Sequence, residues 1–296
     1  MNLPHQAERL KRRAGWAIRD RFPHRRVVRV VQGVEMTLPW SHRLPDYTRD
    51  GSVYGQNLVE LARALTPADG PVVVIDIGAN VGDSALQVLD ATDARFICVE
   101  ADDYYLDYLR TNVGDDERCR IEPALLIPDN SASTNVSVVR EGGTARFVES
   151  SSSTSDVSGV TPAELRARHP WTADLRLVKS DTDGYDVALV PALAAEFADL
   201  SPVLFFEYDQ RLSRIAGFEP TDVWSALADL GYTEVAIWDH GGAPVGRIGI
   251  EDVAVAAKVL DNEVNTKLRA YWDVAVVHGQ DASGLAAITA LVPDTL

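Results

Sequence analysis

The run Val72-Val73-Val74-Ile75-Asp76-Ile77-Gly78-Ala79-Asn80-Val81-Gly82-Asp83-Ser84 constrains this chain more than any other stretch. Its unbroken apolar start marks a strand buried on both faces. Gly78 and Gly82 then let the backbone turn sharply and approach a ligand closely. Asp83-Ser84 open a helix whose first N–H groups have no partner within the helix. About two dozen residues on, Phe96-Ile97-Cys98-Val99-Glu100 is a second apolar run ending in an acid. This pairing is how an α/β fold holds a nucleoside-containing cofactor.

The rest of the chain repeats the rhythm. Strands are expected at 71–77, 95–100, 119–126, 175–181, 203–208, 233–238 and 272–278. Helices are expected near 54–65, 82–90, 103–112, 161–168, 186–197 and 221–230. Such alternation predicts a mostly parallel sheet covered on both faces. Seven strands also suit a last strand that runs antiparallel. Two segments interrupt the pattern. Residues 129–149 read as an inserted hairpin turning at Gly142-Gly143. The Ser/Thr-rich run 150–159 reads either as a flexible linker or as a lid over the site. Before the sheet, residues 27–39 alternate like two strands around a Gln32-Gly33 turn.

Charge narrows the function. The net charge of −16 argues against a general nucleic-acid binder, which needs a basic footprint. Residues 1–30 hold nine Lys/Arg against Glu8 and Asp20, a net of +7, so the remainder carries −23. Residues 1–26 therefore read as a basic helical arm. It can meet a membrane or partner, but packing on the acidic body of its own or a second subunit is the simpler expectation. The two cysteines form no zinc or disulfide pattern, and Cys98 reads as a small buried hydrophobe. No apolar run reaches the length of a membrane span, and the basic start lacks the apolar stretch of a signal peptide. A cytoplasmic protein is the expectation.

Three strand ends carry the chemistry. In an open parallel sheet, ligands bind beyond the carboxyl ends of the strands. A dinucleotide enzyme would place G-x-G-x-x-G at the first turn, with the pyrophosphate on the following helix. Here the turn is Asp76-x-Gly78-x-Asn80-x-Gly82, and an acid beside it would repel a pyrophosphate. It suits a cofactor bearing an ammonium and a sulfonium, with Glu100 accepting both ribose hydroxyls. The second strand end is Lys179-Ser180-Asp181-Thr182-Asp183-Gly184-Tyr185-Asp186. Asp186 can cap the next helix, which leaves Asp181 and Asp183 toward a ligand. The third is Phe205-Phe206-Glu207-Tyr208-Asp209. Asp181, Glu207 and Asp209 can hold a hard divalent cation, one of them can act as a general base, or all can be structural acids neutralised by Lys179, Arg211 or Arg214. His42, His169 and His240 lie in expected loops, and His240 reaches the functional edge if its strand is parallel. His5 and His24 in the arm read as inert.

These strand ends, in this order and spacing, resemble the FkbM family of class I S-adenosylmethionine-dependent methyltransferases over roughly residues 50–278. Asp76-Ile77-Gly78-Ala79-Asn80-Val81-Gly82 is similar to the family's D-[VI]-G-A-N-x-G. Glu100 matches its second-strand acid, although the usual E-P-x-P is here Glu100-Ala101-Asp102-Asp103. Lys179 to Asp186 is similar to K-x-D-x-E-G-x-E, with Asp for both Glu. Phe205-Phe206-Glu207 and Leu230-Gly231-Tyr232 match the fifth-strand acid and the approach to the sixth strand.

The resemblance implies a Rossmann-like seven-stranded α/β sheet and a methyltransferase domain over 51–296, with the arm and strand hairpin of 1–50 and the 129–159 insertion as additions. It implies O-methylation of a hydroxyl on a sugar, glycolipid, or sugar- or polyketide-derived natural product. Asp76, Gly78, Ala79, Asn80, Gly82, Ser84, Glu100, Ala101 and Asp181 would contact S-adenosylmethionine. Asp181 is the first candidate for general base, then Glu207 and His240. His42, Tyr47 and Tyr54 are candidates for the substrate wall, or equally for the core. Two alternatives stay open: a Mg²⁺-dependent enzyme using Asp181, Glu207 and Asp209, and a silent cofactor-binding subunit. A glycan or small-molecule acceptor, no nucleic acid and a homodimer are the expected partners.

Overall fold

A computed structural model describes residues 14–49, 51–67, 70–129, 136–141, 143–149, 159–260 and 271–294. Residues 150–158 of the expected lid, the basic residues Arg9 to Arg13, and His5 lie outside them.

One eight-stranded sheet forms the body. Its strands are β3 (Val73–Ile77), β4 (Arg95–Val99), β5 (Cys119–Glu122), β10 (Leu175–Ser180), β11 (Val203–Tyr208), β12 (Tyr232–Asp239), β13 (Pro244–Gly249) and β14 (Trp272–His278). They lie in the order β13-β12-β14-β11-β10-β3-β4-β5. β5, β4, β3, β10 and β11 are mutually parallel. β14 runs antiparallel between β11 and β12. Strand order thus reverses between β3 and β10, where a doubly wound sheet opens its ligand crevice.

All seven expected strands are present. The eighth, β13, is an added antiparallel edge on β12. The 119–126 strand is shorter than expected: β5 ends at Glu122, and Leu125–Leu126 (β6) instead pair with Gly159–Val160 (β9). The sequence reading lacked the helices Gln210–Ile215, Ile250–Ala256 and Ala282–Leu291.

Side-chain alternation along the strands builds two cores. Ile75, Ile97, Val178 and Leu204 face one side, where the helices Asp186–Glu196 and Asp222–Asp229 pack. Val74, Phe96, Leu177 and Val203 face the other, against the helices Gln56–Leu65, Asp83–Ala91 and Ala282–Leu291. Gly82 serves the second core. Its φ is +83°, and a Cβ there would lie 2.8 Å from Leu109 Cδ1, so a larger residue would push the helix Asp83–Ala91 off the helix Asp103–Val113. Cys98 and Cys119 are buried free thiols.

The N-terminal elements lie on this body. β1 (Arg26–Val31) and β2 (Val34–Pro39) form an antiparallel hairpin turning through Gln32 and Gly33, both at positive φ. That pair of conformations is the two-residue turn whose twist matches the flanking strands. The helical turn at 14–19 is fastened to acids of its own chain. Trp16 Nε1 donates to Asp46 Oδ2 at 2.8 Å, Arg19 pairs with Asp46, and Arg26 pairs with Asp107. The insertion forms a hairpin from β7 (Val136–Glu141) and β8 (Thr144–Glu149), with Gly143 in its turn. No helix among the described residues is long and apolar enough to cross a membrane.

Candidate active site

The carboxyl ends of β3, β4, β10 and β11 open into one cleft of about 1060 Å³, lined also by β14 and the N-terminal elements. That volume is generous for a small-molecule site. Gly78, Asn80, Ser84, Glu100, Asp181, Glu207, Asp209, His240, His42, Tyr47 and Tyr54 all stand on its wall. Four expected cofactor residues do not: Asp76, Ala79, Gly82 and Ala101, of which Gly82 instead packs against Leu109. Asp76 is fully buried beneath the turn, Ala79 is buried behind it, and Ala101 lies off the wall.

Asp76 has a different job from the one expected of it. β3 and β10 are in parallel register with Asp76 opposite Lys179. The Lys179 ammonium stands 2.9 Å from Asp76 Oδ1 and 3.8 Å from Asp181 Oδ2, and donates to the Gly78 carbonyl at 3.3 Å. Burial raises the Asp76 pKa, against the pull of Lys179. Burial also pulls the Lys179 ammonium down, but Asp76 and Asp181 outweigh it and hold Lys179 above the usual lysine range. The pair therefore locks the strand ends together from below the cleft. Asp181, its side chain half exposed, is the acid that reaches the open space.

The turn itself is tightly wired. Gly78 N and Ala79 N both donate to the Val99 carbonyl, at 3.0 and 3.1 Å. Asn80, at φ +51°, donates its N–H to Glu100 Oε2 at 2.8 Å. Glu100 Oε1 accepts from Asp102 N at 2.7 Å. Burial nevertheless lifts Glu100 to about 7, with these backbone bonds opposing the shift. Glu100 is thus held rigidly at the cleft wall with acceptor capacity left over.

The loop after β10 is organised by Asp186 rather than capped by it. Asp186 is fully buried at the start of its helix, and its oxygens accept from Ser180 Oγ at 2.6 Å, Thr182 N at 3.1 Å and Gly184 N at 3.3 Å. This clamp turns the loop so that Asp181 and Asp183 line the cleft.

The inserted hairpin reaches the site as well. Asn80 Nδ2 donates to the Gly143 carbonyl at 2.9 Å, and Arg140 makes a paired contact with Asp102. His42 backs this junction. Its Nδ1 accepts from Leu44 N at 3.2 Å, which leaves the neutral ring's proton on Nε2, beside Gly143. Burial lowers His42 to about 4, with its polar neighbours Asn80 and Gly143 opposing the shift. His42 is therefore a neutral brace at working pH.

The acid trio Asp181, Glu207 and Asp209 does not assemble a metal site. Asp209 caps its helix, with Oδ1 accepting from Leu212 N at 2.8 Å. Among the described residues no three His, Cys, Asp or Glu side chains converge on one point. His240 sits exposed at the end of β12, which does run parallel to β11, with its ring 6.0 Å from Tyr271. The sequence reading missed Asp273 and Tyr271, which line the cleft at the start of β14. The expected antiparallel last strand was the signal for them, because such a strand begins at the edge where the others end.

No family model and no curated protein matches the sequence. Solved structures do. The METTL16 MTase domain is 13% identical over 84% of this chain and 75% of its own, with a TM-score of 0.45. TYW2 of P. horikoshii, in complex with MeSAdo, is 12% identical over 85% and 71%, with a TM-score of 0.43. Methyltransferase FkbM from Methylobacillus flagellatus KT is 14% identical over 70% of this chain and 43% of its own, with a TM-score of 0.37. The fold class is set by the strand order itself: a Rossmann-like, parallel-dominated α/β sheet.

Proposed function

We propose that this protein is an S-adenosylmethionine-dependent O-methyltransferase acting on a hydroxyl of a sugar, glycolipid, or sugar- or polyketide-derived natural product. One observation carries the reading. The ends of β3, β4 and β10 bring Gly78, Asn80, Glu100 and Asp181 to one cleft at the switch in strand order, with carboxylates where a pyrophosphate would need N–H groups or cations.

The residues fit the cofactor. Gly78 leaves room where any Cβ would meet the Asp181 carbonyl. Glu100 offers its remaining lone pairs to ribose hydroxyls, and Asp83 and Asp181 offer charge to an ammonium. When bound, the cofactor supplies an electrophilic methyl group on a sulfonium. The protein's part is to align an acceptor oxygen with that methyl, exclude water and take the hydroxyl proton. Asp181 is the base we assign, as the half-exposed carboxylate beside the turn. Glu207 follows, and His240 is third because of its exposure. His42 is excluded from proton transfer near neutral pH by its low pKa. Mg²⁺ assistance lacks a ligand set, since Asp209 is committed to its helix.

Calorimetry tests the cofactor. S-adenosylhomocysteine is expected to bind in the micromolar range, and Glu100→Ala to lose it. Preference for NAD overturns the reading. Turnover distinguishes an enzyme from a silent cofactor-binding subunit. Asp181→Asn is expected to lose at least about a hundredfold in kcat if Asp181 is the base.

A further inference from the structure

Glu207 on β11 and Asp273 on β14 are direct cross-strand partners, so their carboxyls leave the sheet on the same side, into the cleft. Like charges placed opposite each other destabilise a sheet. Asp273 has a neutral partner, with Oδ2 accepting from Asn57 Nδ2 at 2.8 Å. Glu207 is largely enclosed, and no described residue donates to it. Burial first, then Asp181, Asp183, Asp273 and Asp209, lifts its pKa well above the carboxylate range.

Among the described residues the cleft has no spare Lys or Arg on its wall to neutralise this pair. Its wall carries three described Lys or Arg residues: Arg43, Arg140 and Lys179. Arg43 is paired with Asp20, Arg140 with Asp102, and Lys179 with Asp76. Two tyrosines, Tyr54 and Tyr271, border the same space. Enclosed charges are normally paired, and aromatic faces favour a cation beside them. The acids therefore complement a positive group on the ligand. Asp83 and Asp181, beside the turn, answer the cofactor's ammonium. Glu207 and Asp273 lie two and three strands away from β3, on the acceptor side.

We infer that the acceptor molecule carries a protonated amine as well as the hydroxyl, and that Glu207 and Asp273 receive this amine between Tyr54 and Tyr271. An amino sugar is the simplest member of that class. The inference rests on the methyl-transfer reading for the orientation of the cleft.

The test uses the full chain with S-adenosylhomocysteine present. Ligand-observed NMR titrations compare glucosamine, N-acetylglucosamine and glucose at pH 7.5. Glucosamine is expected to bind at least tenfold tighter than either neutral sugar. Glu207→Gln and, separately, Asp273→Asn are expected to bring the ratio to within twofold, with an unchanged far-ultraviolet circular dichroism spectrum as the check on folding. Equal binding of the three sugars, no binding of glucosamine, or a preference that survives both substitutions overturns the inference. Calorimetry with S-adenosylhomocysteine alone separates the two readings. A lost cofactor signal with an intact glucosamine preference strikes methyl transfer, and the reverse strikes the amine site.

Discussion

Gly78 and Asp181 touch through their backbones: a Cβ on Gly78 would overlap the Asp181 carbonyl oxygen, while Asp181 N donates to the Ile77 carbonyl at 3.1 Å. The first and fourth parallel strands in chain order, β3 and β10, thus meet where the cleft begins. With φ at +71°, Gly78 is doubly required, for its conformation and for its lack of a side chain.

Gly78→Ala is expected to destabilise the fold by at least about 2 kcal/mol and to abolish binding of S-adenosylhomocysteine, because backbone cannot yield as a side-chain tip can. Gly217→Ala is the control. Gly217 has φ +92° but open space around it, so it should lose only about 1 kcal/mol and keep the ligand. Equal losses in urea melts would refute the steric account.

Asp76 and Lys179 predict a strong coupling. Lys179→Met leaves a buried carboxylate alone and is expected to cost about 3–5 kcal/mol, as is Asp76→Asn by stranding the ammonium. The double variant should lose far less than the sum. Additive losses in chemical denaturation would show that the pair is not a unit.

Asp273 predicts a pH dependence. Burial, opposed by the Asn57 hydrogen bond, raises it from 3.8 to about 7. The folded protein therefore holds a proton that the unfolded chain releases. The stability this gives is full below about pH 4 and is lost as pH rises through 7. Asp273→Asn should accordingly be more stable than the parent at pH 8, by on the order of 2 kcal/mol, with the difference gone near pH 4. Thermal melts across that range decide it, and a gap that widens toward acid would contradict the assignment.

The hairpin junction predicts an effect on ligand binding with little effect on global stability. Gly143 has φ +113°, and a Cβ there would lie 3.1 Å from the His42 ring. Gly143→Val should lift the hairpin tip, free Asn80 Nδ2 and weaken S-adenosylhomocysteine by about fivefold, since a lost hydrogen bond is worth about 1 kcal/mol. Calorimetry and melts together check this. A large fall in melting temperature with unchanged affinity would make the hairpin a structural brace only.

The residues that were legible in the sequence are those whose signal is local. An apolar run ending in an acid marks both the strand and the end that opens on the cleft, which is how Gly78, Asn80, Glu100, Asp181 and Glu207 could be placed. The helix Ala282–Leu291 was not legible, since its Ala-rich run shows little contrast between faces. Asp209 both caps its helix and lines the cleft, and a cap and a ligand look alike in one dimension.

By itself the sequence determined the order of strands and helices, the glycine turn and the acids at the strand ends, because each depends on neighbours along the chain. Only the tertiary structure decided which acids are already paired. Asp76 meets Lys179, whereas Glu207 faces another acid, Asp273, through register between strands far apart in sequence. Register is a property of packed sheets, and it alone separates the acid that is neutralised in the core from the acid that faces a ligand.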